Sequence, residues 1–167
     1  NRWRSSTCIS LGIGQDALLM TPIQMANLAA IIANRGYYKI PHIIKTIDGI
    51  TENTNPEFYK NQYCSIDSQY FQPIIYGMQT AVDGKYGTAP KAKIDNLTIC
   101  GKTGTAQNPH GDDHSIFIAF APKINPKIAI AVYVENGGWG SDVAAPIASL
   151  CIEKYIFRET GRQVLEK

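Results

Sequence analysis

The sequence has little of what would assign it to a nucleic-acid-binding or membrane-spanning class. Its 167 residues carry a net charge of only +2, which gives no electrostatic reason to expect nucleic acid or a strongly acidic partner. The longest uninterrupted apolar runs, residues 116–121 and 128–134, are far shorter than the roughly 20 residues that cross a bilayer. We therefore expect a single globular domain with a core of its own.

Cysteine is also scarce, and the four cysteines form no Cys-x-x-Cys pair. This spacing gives little support to a zinc site or a thioredoxin-type redox site. Cys100 lies in a strand-like apolar run and Cys151 in an apolar helical stripe. We predict that both are small buried hydrophobic side chains rather than disulfide partners. The four positions are Cys8, Cys64, Cys100 and Cys151.

Two helices are predicted in the first half of the chain. Thr21, Pro22 and Gln24 form a capping-box pattern and predict a helix over residues 22–35, whose narrow polar stripe indicates burial on most sides. A second helix is predicted by apolar residues at helical spacing, which end before Gly84. Residues 37–47 are predicted to be extended, 48–62 to form a surface excursion, and 84–93 to form a flexible connection. The apolar series is Phe71, Ile74, Ile75, Met78 and Val82.

The second half predicts a sheet. Strand-like segments at 97–107, 115–121 and 128–135 are joined by connections too short for parallel crossovers, so the strands must be antiparallel. Alanines alternate with large residues in the last two segments, and we expect a helix over 144–158 to pack on an alanine face. The fold class is therefore α+β, an antiparallel sheet flanked by helices on both faces. The alanines are Ala119, Ala121, Ala129 and Ala131.

The first predicted strand carries Lys102, Thr103, Gly104 and Thr105, which suit an anion held in an acyl-transfer site. Hydroxyls and an ammonium can hold a substrate carboxylate, while a backbone N–H at a strand edge can stabilise a developing oxyanion. Gly104 would let a substrate backbone approach closely. So short a motif is also compatible with a solvated edge strand.

Competing functions have weaker patterns. A phosphate-binding loop ending in Gly-Lys-Thr requires glycine where this chain has Asn96. Residues 110–114 include two histidines and two aspartates, but their glycine and their position between strands predict a hairpin loop rather than a metal site. Trp139 lies in a glycine-rich turn, and we predict that it caps the core rather than lining a cleft.

Several segments together resemble the C-terminal part of the transpeptidase domain of class B penicillin-binding proteins. The resemblance extends over nearly the whole chain, so residues 1–167 are interpreted as the C-terminal portion of such a domain. The segments are Leu11-Gly-Ile-Gly-Gln15, Thr21-Pro22-Ile23-Gln24, Ala33-Asn34-Arg35-Gly36, Pro41-His42, Gly101-Lys-Thr-Gly-Thr-Ala-Gln107, Phe120-Ala-Pro122, Asn125-Pro126 and Val134-Glu-Asn-Gly-Gly138.

This resemblance implies a peptidoglycan cross-linking D,D-transpeptidase at the periplasmic face of the bacterial inner membrane. Its partners would be stem peptides ending in D-alanyl-D-alanine, β-lactams and the remainder of the transpeptidase domain; no metal or organic cofactor is implied. Because the chain begins at Asn1 without a signal pattern, we expect any membrane anchor to lie upstream.

The resemblance also implies roles for the residues of the motif. Lys102 and Thr105 would be catalytic, with Lys102 interacting with a Ser-x-Asn loop and the Thr105 N–H supplying half of an oxyanion hole. Thr103, Gly104 and Thr105 would bind substrate, the two hydroxyls holding its terminal carboxylate.

The chain departs from the family pattern in two ways. No serine is followed three residues later by lysine, and Ser141-Asp142-Val143 lacks the final asparagine of a Ser-x-Asn loop. Since acylation requires an activated serine, we expect this chain alone to be inactive. The alternative is a non-catalytic interaction or scaffold fragment of a cell-envelope protein.

Overall fold

Helices lie on both faces of a three-stranded antiparallel sheet, as the α+β prediction requires. The structure is a computed structural model that describes residues 4–14, 18–47 and 55–159. Predictions for 48–54 therefore lie outside the described residues. None of the described helices is long and apolar enough to span a bilayer. In chain order the elements are α1 (Ser5–Gly12), α2 (Pro22–Ala33), β1 (Tyr37–Tyr38), β2 (Gln62–Tyr63), α3 (Phe71–Asp83), β3 (Cys100–Ala106), β4 (His114–Ala121), β5 (Ile128–Val134) and α4 (Ala144–Phe157).

Helix α2 begins with the predicted capping box. The Gln24 N–H donates to Thr21 Oγ1, and the Thr21 N–H donates to Gln24 Oε1 at 2.8 Å. The helix ends at Ala33, two residues earlier than predicted, because Arg35 and Gly36 both have positive φ. The predicted burial on most sides is wrong. Only Ala29, Ile32 and Ala33 are buried, whereas Ile23 and Leu28 are exposed.

Helix α3 confirms the apolar series except at one position. Phe71, Ile75, Met78 and Val82 are buried, while Ile74 is exposed.

The connection after α3 is more ordered than predicted. A short 3₁₀ helix spans Pro90–Ala92, and Ala89 and Ala92 are completely buried. The Ala89 N–H donates to the Ala81 carbonyl at 2.8 Å, so this connection is fastened to the last turns of α3.

The sheet has the order β3-β4-β5, with both pairs antiparallel. One face packs on α2 and α3 through Cys100 and Phe120, and the other packs on α4 through Phe117 and Ala119. The idea of a single alanine face is wrong. Ala119 lies opposite Ile130 and Ala131 opposite Ile118, and cross-strand partners share a face, so each face combines alanines with large residues.

Helix α4 covers the face that contains Ala119 and Ala121. Its Ala148 and Ile152 are completely buried. Cys151 is exposed, which corrects its assignment to the core, because the buried stripe of the helix lies on the side of its neighbour Ile152.

The four thiols differ enough in exposure for a labelling prediction. Cys100 is buried and Cys64 partly buried, whereas Cys8 and Cys151 are exposed, and all four are free. Burial raises the pKa of the Cys100 thiol to about 11, above its ordinary 9.0, so its reactive thiolate is scarce at neutral pH. In the folded chain at pH 8, we expect a maleimide to label Cys8 and Cys151 rapidly and Cys100 only on unfolding. Peptide mass mapping after timed labelling measures this, and rapid modification of Cys100 in the native chain would contradict the packing of this face.

Candidate active site

The Lys-Thr-Gly-Thr motif lies on β3, at the edge of the three-stranded sheet. Lys102 is exposed, and Thr103, Gly104 and Thr105 are partly buried. The Lys102 ammonium donates to the Thr103 carbonyl at 2.8 Å, which indicates that this carbonyl points toward the open edge of the sheet. Backbone groups two residues apart on a strand point the same way, so the N–H and C=O of Thr105 face that edge too.

The side chains of the motif divide between the two faces of the sheet. Lys102 and Gly104 lie opposite Ile118 and Ile116, on the face covered by α2 and α3. Thr103 and Thr105 lie on the α4 face, opposite Phe117 and Ser115. The structure therefore brings the predicted residues together along one edge rather than on one face. A substrate lying along that edge could reach both sets.

An open groove of about 520 Å³ borders Lys102 between β3 and α3. Most of its wall is apolar, so the Lys102 ammonium is placed at the margin of a hydrophobic surface. Such a groove suits a ligand with an apolar body and an anionic end. Its lining includes Ile32, Ile74, Met78, Tyr86, Thr88 and Ile118.

The opposite side of the motif is supported by a buried serine that sequence reasoning did not identify. Ser115 is completely buried and lies opposite Thr105 in the β3–β4 register. Its hydroxyl donates to the Trp139 carbonyl and accepts from the Ala144 N–H, each at 3.0 Å. Ser115 thus fastens the segment before α4 to the strand that pairs with the motif.

Gly140 brings the same segment against the backbone of the motif. A Cβ atom at this position would lie 2.5 Å from the Gly104 carbonyl oxygen and would also meet the Ile116 carbonyl oxygen. Trp139 beside it is 70% exposed, so the prediction that it caps the core is wrong. The hydrogen bond of its carbonyl to Ser115 fixes the backbone while the indole stays outside.

A salt bridge fastens the other end of this segment. The Lys91 ammonium lies 2.7 Å from an Asp142 carboxylate oxygen, and this hydrogen bond lowers the pKa of the Asp142 carboxyl. Lys91 belongs to the 3₁₀ helix that follows α3. The pair joins the connection that precedes β3 to the segment that precedes α4, 51 residues apart in sequence.

The histidine- and aspartate-containing loop has internal hydrogen bonds. Asp113 accepts from the Asn108 N–H, and His114 Nδ1 accepts from the Asn136 N–H. The His110 N–H donates to the Asn108 side chain. In the part of the chain that the structure describes, no three His, Cys, Asp or Glu side chains are grouped to hold a metal ion.

Comparison with known proteins identifies the family. The family model described as the penicillin binding protein transpeptidase domain matches residues 1–153. The chain belongs to this family. The resemblance found in the sequence segments is thereby confirmed, and the strand that bears Lys102 lies within the matched range.

Individual relatives agree with this assignment. Peptidoglycan D,D-transpeptidase MrdA from Haemophilus influenzae is 32% identical over 92% of this chain, but only 26% of that protein is covered. The crystal structure of Pseudomonas aeruginosa PBP2 in complex with WCK 5153 is 40% identical with a TM-score of 0.82, covering 97% of this chain and 35% of that one. An acyl-enzyme complex of penicillin-binding protein A from M. tuberculosis is 30% identical with a TM-score of 0.78, covering 92% and 36% respectively. The chain thus spans about a quarter to a third of the length of these proteins.

Proposed function

We propose that residues 1–167 form the C-terminal portion of the transpeptidase domain of a peptidoglycan D,D-transpeptidase. The enzyme would cross-link stem peptides ending in D-alanyl-D-alanine at the periplasmic face of the inner membrane and would be acylated by β-lactams. A single observation carries the proposal. In a chain of this family, the Lys-Thr-Gly-Thr motif occupies an open sheet edge that borders a groove.

The proposed roles follow from the directions of the groups along β3. The Thr105 N–H faces the open edge, where it could donate to the carbonyl oxygen under attack and stabilise the oxyanion. The hydroxyls of Thr103 and Thr105 could donate to the terminal carboxylate of the donor peptide, with Gly104 leaving room for its backbone. Lys102 would exchange its bond to the Thr103 carbonyl for contacts with substrate and with a Ser-x-Asn loop.

The bond-forming group would come from the remainder of the domain. In the proposed reaction a serine hydroxyl, activated by a lysine three residues on, attacks the penultimate carbonyl, its proton passes to the leaving D-alanine, and a serine ester forms. An amine of a second stem peptide then takes the acyl group and restores the serine. This chain would hold the donor and stabilise its oxyanion.

Exposed apolar side chains support the proposal that this chain packs against the remainder of the transpeptidase domain. Helix α1 has no buried residue, and Ile9 is 69% exposed. Leu19 is 88% exposed, and Ile23 on α2 is also exposed. Each is an exposed apolar side chain that a further part of the same domain could cover.

For this chain by itself, we expect no covalent reaction with a penicillin, because none of its serines has the activating lysine. Incubation with a fluorescent penicillin followed by intact mass measurement tests this, with an acylated transpeptidase as the positive control. A stoichiometric adduct would contradict the expectation. Partner binding that survives both Lys102→Ala and Thr105→Ala would instead favour the scaffold alternative.

A further inference from the structure

A hydroxyl outside the motif contacts it. Thr88 Oγ1 lies 3.2 Å from Thr103 Oγ1, although the two residues are 15 positions apart in sequence. Thr88 also lines the groove that borders Lys102. It therefore contacts the Thr103 hydroxyl and lines the same groove as Lys102.

The backbone on both sides of Thr88 is held firmly. The Gly87 N–H donates to the Gly84 carbonyl at 2.9 Å, and a Cβ at Gly87 would lie 2.5 Å from the Ala81 carbonyl oxygen. On the other side, Ala89 is completely buried and donates to that same carbonyl. Although Thr88 is exposed, its position against β3 is set by the end of α3.

A carboxylate bound to Thr103 would determine which hydroxyl is the donor in the hydrogen bond between Thr88 and Thr103. A carboxylate only accepts hydrogen bonds, so Thr103 must use its single O–H to donate to it. Thr103 can then accept a bond from the Thr88 hydroxyl. The resulting chain, Thr88 to Thr103 to carboxylate, fixes the rotation of the Thr103 O–H and polarises it toward the anion.

We propose that Thr88 is a positioning residue for the carboxylate-binding hydroxyl of Thr103. This inference rests on the proposed function and adds to it a residue that acts through Thr103 without itself touching the carboxylate. It applies to any substrate or β-lactam that presents a carboxylate at this strand.

The test uses the complete transpeptidase that contains this segment and measures the second-order rate constant of acylation by benzylpenicillin. Thr88→Val keeps the shape and removes the hydroxyl, and it should lower the rate constant about fivefold, the effect expected for one net hydrogen bond. Thr88→Ser should remain within about twofold of wild type. Thr98→Val is the matched control, because Thr98 is a partly buried threonine outside the groove.

The methyl ester of benzylpenicillin separates positioning from a general structural effect. The ester has no anionic acceptor, so Thr88→Val should react with it as fast as wild type does. A double-mutant cycle gives a second readout. If Thr88 acts through Thr103, Thr88→Val should not lower the acylation rate constant further in an enzyme that already carries Thr103→Val.

Three outcomes would overturn the inference: Thr88→Val reacting like wild type with the free acid, an equal loss on acid and ester, or additive losses in the cycle. If wild-type enzyme forms no acyl adduct, the proposed function itself fails.

Discussion

Lys102→Ala should lower the rate constant for acylation by a penicillin about 100-fold in the complete transpeptidase. The ammonium lies beside a largely apolar groove, where a charge-assisted hydrogen bond to a substrate anion is worth about 1.5–3 kcal/mol. Lys102 is exposed, and among the residues that the structure describes its ammonium donates only to the Thr103 carbonyl, so the substitution should leave the thermal midpoint almost unchanged. The measurements are stopped-flow acylation and a thermal melt of each variant.

The matched control for this substitution is Lys127→Ala. Lys127 is also exposed, but it precedes β5 and does not line the Lys102 groove. The Lys127→Ala substitution removes the same charge from the same domain. Any effect of net charge on the approach of an anionic drug should therefore appear in both variants. Equal rate constants for the two variants would argue against a local role for Lys102.

Gly140→Ala should destabilise this chain by about 2 kcal/mol, the usual cost of overpacking a well-packed site. The added methyl group would lie 2.5 Å from the carbonyl oxygen and 3.2 Å from the nitrogen of Gly104, and it would also press on the Ile116 carbonyl. These are backbone atoms of paired strands, so they cannot turn away as a side chain can. In the complete enzyme we also expect slower acylation, because relief of the contact must displace the motif or the segment beneath it.

Urea unfolding of the isolated chain measures the free energy of unfolding, and Gly12→Ala provides the control. Gly12 ends α1, and a Cβ there meets no atom within 4 Å, so alanine should be neutral or stabilising. A Gly140→Ala chain as stable as the Gly12→Ala chain would mean that the segment before α4 does not press on the motif.

The sequence is most informative where a local pattern and the tertiary packing agree. The capping box starts α2 at Pro22, and the apolar series of α3 matches its buried face except at Ile74. Short connections correctly require antiparallel strands, because a parallel crossover needs more residues. Helix α1 lies in a part of the sequence for which no element is predicted; its residues are all at least partly exposed, and it has no acidic or side-chain cap at its start.

The errors come from properties that depend on the arrangement of elements. Periodicity shows that the α4 stripe is apolar, but only packing decides that Ile152 is buried and Cys151 exposed. The alanine face fails for the same reason, since alternation along each strand does not give the register between strands.

Some residues of the candidate site can be predicted from the sequence, and others are found only in the structure. Lys102, Thr103 and Thr105 are recognisable because they lie within four consecutive residues and have a chemical meaning together. Thr88 and Gly140 reach the motif from 15 and 36 positions away from Thr103 and Gly104, and their sequence neighbourhoods show only turn-like composition. In the sequence, nothing distinguishes Ser115 from an ordinary residue of a strand. Its hydrogen bonds become evident only when β4 and the segment before α4 are placed together.

The open edge of β3 has a consequence for the protein's behaviour in concentrated solution. An unpaired strand edge that can accept an extended peptide is also a template for strand addition by another copy of the chain. Lysine on an edge strand opposes such pairing, because two copies brought edge to edge would place like charges close together. Lys102, whose ammonium donates to the Thr103 carbonyl at this edge, is therefore positioned to discourage self-association of the chain.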